Sequence, residues 1–155
     1  MKIYIAGAHR ELDRCSDIIK KVDALPGAEI TLDWTGSIRE FGGDQHDDRS
    51  LPARAETAWA DVDAVLNADV VWLLLPRAIT KGMHTELGVA LAYRRLRPFL
   101  DVPDRFGQKK TLLASWVDEI AAHDEDLPLF VAAVDNIFDT DAEALEAVRA
   151  LCAPG

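Results

Sequence analysis

Two carboxylates, a few cations and two aromatic rings stand where a folded chain can do chemistry. Glu86 follows Gly82 at the start of a helical pattern, and Asp69 opens the apolar run Val-Val-Trp-Leu-Leu-Leu-Pro76. A carboxylate in the first turn of a helix commonly complements the helix dipole, but it can also serve as acid, base or nucleophile. An acid that opens a buried strand is commonly a turn residue, and only the local chain path could bring it near a ligand. His9 and His84 read as loop or surface histidines, because no second histidine sits at metal-ligand spacing; no metal and no cofactor are expected. Trp34 and Trp116 could stack on a planar base, although core packing is the commoner use of tryptophan.

Alternating strands and helices must position these residues. Residues 2–6 form a β-prone run stopped by Gly7, after which Leu12, Cys15, Ile18 or Ile19, Val22 and Leu25 recur at helical spacing. Pro26-Gly27 ends that helix, residues 29–33 read as a second strand, and residues 37–50 read as a long mobile loop. Pro52 suits the first turn of a helix with Ala55, Trp59, Val62, Val65 and Leu66 on one face. Residues 69–76 are the clearest strand, with the unbroken apolar character of a central parallel strand, and a helix follows over residues 83–95. The fourth strand has two candidates, 98–102 and 111–115. The second is preferred, with 94–108 as an extended connection. Asn136-Ile-Phe138 makes a last short strand, and Thr140-Asp-Ala-Glu143 is a capping box opening a final helix.

This alternation predicts one α/β domain over residues 1–155, a flavodoxin-like doubly wound parallel sheet of five strands in order 2-1-3-4-5. Ligands in such folds bind outside the carboxyl ends of the strands, where strand order reverses. That rule gathers His9 and Arg10, then Asp33, Trp34 and Thr35, then Arg77, Thr80, Lys81, His84 and Glu86, and finally Ser115 and Trp116.

Composition narrows the partners. The chain has 155 residues, Asp+Glu 27 against Lys+Arg 17, and a formal net charge of −10. Such an acid excess argues against a nucleic acid polymer as partner, which would call for clustered Lys and Arg, while leaving room for one small anion held by local donors. No apolar run approaches the roughly 20 residues of a membrane span, and residues 1–7 lack the apolar stretch of a signal peptide, so no membrane partner and a cytoplasmic location are expected. Cys15 and Cys152 fit neither zinc spacing nor a disulfide framework, in keeping with a reducing compartment.

Three blocks carry a resemblance: Ile3-Tyr4-Ile5-Ala6-Gly7-Ala8, Ala68-Asp69-Val70-Val71, and Gly82-Met83-His84-Thr85-Glu86-Leu87-Gly88-Val89-Ala90-Leu91-Ala92. In this order, over residues 1–92, they resemble the nucleoside 2-deoxyribosyltransferase family, which includes nucleoside monophosphate N-glycosidases. The resemblance implies cleavage of an N-glycosidic bond with Glu86 as nucleophile, through a covalent glycosyl intermediate. It implies that Asp69 contacts and protonates the departing base. Thr80 lies where the family carries an Asp, or a Ser that contacts the 5'-phosphate. Its hydroxyl, Lys81 and the N–H groups around Gly82 would make a phosphate cradle, with a solvated loop lysine as the other reading of Lys81.

The resemblance of Gly82-Met-His-Thr-Glu86 to the Gly-Thr-His-Val-Glu stretch of cytidylate N-glycosidases favours a nucleoside monophosphate over a nucleoside. The first loop, Gly7-Ala8-His9-Arg10, departs from the family's usual Gly-Ser or aromatic loop, although Arg10 could reach a phosphate. The expected substrate-binding set is therefore Ala6, Gly7, Arg10, Asp33, Trp34, Thr80, Lys81, Gly82 and His84. The family also implies a homo-oligomer, a dimer or larger, in which a polar residue such as Asn136 could act across subunits. Two other functions stand beside this one: a nucleotide-binding sensor without turnover, and an NAD-cleaving glycohydrolase.

Overall fold

The computed structural model describes residues 1–41, 49–76, 81–99, 110–117 and 130–153. The chain starts with β1 (Lys2–Ala6), a short 3-10 turn at His9–Glu11 and α1 (Leu12–Asp23), then passes through β2 (Glu29–Ile30), α2 (Thr35–Phe41) and α3 (Leu51–Asn67). It continues as β3 (Val70–Leu75), α4 (Lys81–Leu96), β4 (Thr111–Trp116), β5 (Asn136–Phe138) and α5 (Asp141–Cys152). The strands form one parallel sheet in order β2-β1-β3-β4-β5. This is the expected flavodoxin-like, doubly wound arrangement, and its strand order reverses between β1 and β3.

Side-chain alternation divides the core in two. Tyr4 and Ala6 of β1 and Val71, Leu73 and Leu75 of β3 pack with Ala64 and Val65 of α3 and Met83, Leu87 and Ala90 of α4. Ile3, Ile5, Val70, Trp72 and Leu74 point the other way, onto Cys15, Ile18, Ile19 and Val22 of α1 and Ala144 and Val148 of α5. β3 is buried at all its positions, which is why it lacks the polar alternation of a half-exposed strand. At β4, residues 111–115 do form the strand, extended by Trp116. Thr140 caps α5 through Glu143 in the reciprocal capping box.

Several boundaries differ from the sequence expectation. The second strand stops at Ile30, because the Asp33 Oδ1 accepts from the Thr35 N–H at 3.0 Å and turns the chain into α2. The first part of the expected 37–50 loop is therefore helix, and 42–48 lie outside the described residues. On α3 the expected apolar face holds only toward its C-terminal end: Val65 is buried, with Ala64 beside it, and Val62 and Leu66 are half-buried, whereas Ala55 is exposed and Trp59 is 67% exposed. α4 starts at Lys81, ahead of the expected 83, and puts Glu86 in its second turn. Its C-terminal end reaches Leu96 and passes into a 3-10 turn at Arg97–Phe99, where an extended connection was expected.

Candidate functional site

The site grows from β1 and α4. In β1 every second side chain faces α3 and α4, which sends Tyr4 to that side of the sheet, where it is fully buried. Its hydroxyl donates to Glu86 Oε1 at 2.6 Å. The other carboxylate oxygen, Oε2, is buried and has no hydrogen-bond partner among the described residues. Glu86 thus has one oxygen fixed and one uncommitted, which is the geometry a nucleophile or proton carrier requires.

Electrostatics make this carboxylate unusual. Burial, first, and then the negative charge of Asp61 raise Glu86 from 4.5 to about 7, while the bond from Tyr4 pulls it down. The same surroundings push the Tyr4 phenol far above its ordinary value, by burial and then by the charges of Glu86 and Asp61. Near neutral pH the tyrosine is therefore always a donor, and Glu86 exchanges a proton within the physiological range. With Glu86 in the second turn, the α4 dipole contributes less to it than a first-turn position would allow.

Asp69 stands elsewhere. Its carboxylate Oδ2 accepts the Lys2 backbone N–H at 2.8 Å, and its own N–H donates to the Lys2 carbonyl. Both contacts lie at the amino end of β1 and β3, so the structure does not bring Asp69 to Glu86. The carboxylate that influences Glu86 is Asp61, one and a half turns before the end of α3 and part-buried. Sequence reasoning missed Asp61 and Tyr4, although a signal existed for the first. Asp61, Ala64, Val65 and Ala68 stand at i, i+3, i+4 and i+7, which puts the acid on the inward stripe of its helix.

The other expected binding residues divide. Ala6 is buried in the core beneath the site. Gly7 is required by packing, because a Cβ there would collide with the Cys15 sulfur. Burial pushes the Cys15 thiol up to about 12, which leaves it an inert core group. Trp34 donates through Nε1 to the Ile5 carbonyl at 2.8 Å and packs on both core clusters, so it braces the end of β1. Asp33 is exposed and engaged in capping α2. Arg10 is exposed on the turn after β1, and His84 is half-buried on α4.

A Cβ on Gly82 would meet nothing within 4 Å, so sterics do not demand a glycine there. Trp116 belongs to the core, 8% exposed, and does not offer a stacking face. Ser115 is likewise buried within β4. Arg77, Thr80 and the side chain of Lys81 lie outside the described residues, as does any phosphate cradle built on them. Among the described residues no group of three His, Cys, Asp or Glu side chains could hold a metal ion, and no helix is long and apolar enough to cross a membrane.

Neither a scan of protein-family models nor a search of curated proteins matches the sequence. Among solved structures the chain is similar to the apo form of an NADH:FMN oxidoreductase. That similarity has 17% identity and a TM-score of 0.45, and covers 97% of this chain and 87% of that one. At that level of likeness the strand order, read directly from the sheet, is what defines the fold.

Proposed function

We propose that this chain cleaves the N-glycosidic bond of a nucleoside or nucleoside 5'-monophosphate, as a hydrolase or as a deoxyribosyltransferase. The observation that carries the reading is the Glu86 carboxylate, buried, with Oε1 held by Tyr4 and Oε2 uncommitted. Its place on α4, the helix after β3, sets it beside the switch point at which a ligand would lie. The resemblance of the blocks at residues 3–8, 68–71 and 82–92 to the nucleoside 2-deoxyribosyltransferase family supplies the reaction class.

In the first step ionised Glu86 Oε2 attacks the anomeric carbon as the bond from that carbon to the base nitrogen breaks. The bonding pair leaves with the base, which takes up a proton. Asp61, the second carboxyl group acting on this site, is the group we assign to that proton transfer, in place of Asp69. In the second step water, or the nitrogen of an acceptor base, attacks the same carbon and releases Glu86 as carboxylate, and the proton from the attacking group returns to the acid. Tyr4 holds the carboxylate in one orientation throughout, which lowers the entropic cost of reaching the reactive geometry.

Chromatography of a panel of nucleosides and monophosphates, incubated with wild type and Glu86→Ala, tests substrate class and nucleophile together. The expected result is base release by the wild type and none by the variant. Failure to release base from every compound, or equal release by both proteins, rejects the proposal. An added acceptor base separates the two activities, because a transferase makes a new nucleoside and a hydrolase accumulates the sugar or its phosphate.

A further inference from the structure

On the sheet face opposite Glu86, Arg14 of α1 is committed to five acceptors. Its Nε and Nη2 donate to the two carboxylate oxygens of Asp141 at 2.7 Å each, and Nη1 donates to Glu11 at 2.5 Å. The remaining N–H groups donate to the backbone carbonyls of Leu75 at 3.0 Å and Ser115 at 3.5 Å. The Ser115 hydroxyl donates to Asp141 at 2.6 Å and accepts from Trp72 Nε1 at 2.8 Å. A guanidinium has five N–H donors, so none is left for a substrate anion.

The two carbonyls are the informative contacts. Leu75 is the last residue of β3 and Ser115 the next-to-last of β4, and α4, which carries Glu86, is the next described element after β3. The fork geometry of the Arg14–Asp141 pair fixes direction as well as distance, and its side chains are only 14% and 20% exposed.

We infer that Arg14, anchored by Asp141, is a positioning residue: it clamps the carboxyl ends of β3 and β4 and thereby sets the seat of α4, which carries Glu86 to the crevice. The catalytic side of this inference rests on the glycosidic reading, whereas its structural side stands without it. Arg14→Lys keeps the charge and loses the fork, and Val148→Ala, on the buried face of α5, serves as a control that weakens packing on the same side of the sheet without touching the clamp.

Amide hydrogen exchange in the full-length protein reads the clamp directly. In Arg14→Lys the amides of residues 85–89 in α4 should exchange about tenfold faster or more, a loss of roughly 1.4 kcal/mol of local protection. In Val148→Ala the acceleration should stay in α1 and α5. Turnover gives the second readout: Arg14→Lys should lower kcat about tenfold with KM within about threefold, and Val148→Ala should leave both unchanged. The same exchange pattern in both variants overturns the clamp. Altered α4 exchange with unchanged kcat overturns its role in positioning the nucleophile. Base release by neither wild type nor variant rejects the glycosidic reading alone, since exchange still decides the clamp.

Discussion

Replacing Glu86 by Gln keeps the shape of the side chain and an oxygen that accepts from Tyr4, and removes only the ionisation. In the folded protein burial and Asp61 hold Glu86 at about 7, against 4.5 in an ordinary environment. The folded state therefore keeps a proton that the unfolded chain has released between those values. The stability contributed by neutral Glu86 is complete below about pH 4.5 and is lost as the pH rises through 7. At about 1.4 kcal/mol per pH unit, the gap between 4.5 and 7 makes ionised Glu86 cost up to about 3 kcal/mol. Glu86→Gln should thus match wild type near pH 4 and exceed it by up to about 3 kcal/mol above pH 8, which for a chain of this size is about 6–12 °C in Tm.

Urea denaturation of both proteins across that range measures the difference, and the same preparations should show loss of base release by at least about a thousandfold. A stability difference that does not change with pH, or a variant less stable than wild type at pH 8, would refute the environment assigned to Glu86. A more stable but inactive variant is the expected mark of a strained functional site.

The neighbours of Glu86 should move its titration in opposite directions. Tyr4→Phe removes the hydrogen bond that favours the carboxylate, so the pH midpoint of kcat/KM should rise above 7, whereas Asp61→Asn removes both a repelling charge and the assigned acid, so base release should fall by at least about a hundredfold and the midpoint of the residual activity should drop. Identical midpoints in a pH-rate series would exclude both assignments. Lys110 gives a separate test at the amino end of the sheet. It is 1% exposed, donates to the carbonyls of Leu66 and Ala68, lies 4.8 Å from the centre of the Tyr93 ring, and is lowered by burial to about 8 from 10.5. The folded protein gives up this proton before the unfolded chain does, so stability should climb by about 1 kcal/mol per pH unit above pH 8. In Lys110→Met, denaturation at pH 8 and 9 should show that climb gone, and an unchanged slope would disprove the assignment.

Much of the fold was legible because its signals are local. The unbroken apolar run of β3, the capping box at Thr140 and Pro52 at the start of α3 each identify an element without knowledge of its neighbours. Glu86 stood out through the resemblance of its helix segment, because an acid near a helix start by position alone reads as a partner of the helix dipole. Asp69 and Asp61 show the limit. Both are acids near β3, and only the packing of α3 on the sheet reveals that one stands at the amino end and the other acts on Glu86. Tyr4 was hidden because a tyrosine in an alternating strand reads as core until a polar partner 82 positions away is known. The exposed first half of α3 has a similar origin: Ala55 and Trp59 extended the apolar stripe of Val62, Val65 and Leu66 into turns that face solvent, whereas only the end of the helix, at Ala64 and Val65, meets the core.

The burial of β3 on both faces also has a consequence during synthesis. β1 emerges first, but its ladder with β3 joins residues as far apart as Lys2 and Asp69, 67 positions along the chain. Until that ladder closes, Val-Val-Trp-Leu-Leu-Leu is a strand-prone segment with no charge, proline or glycine of its own, the type that pairs with other chains. Asp69 and Pro76 flank it on either side. A charge and a proline at those positions are gatekeepers, which discourage intermolecular pairing at both ends of the run. Asp69 thus protects the nascent chain from its own central strand.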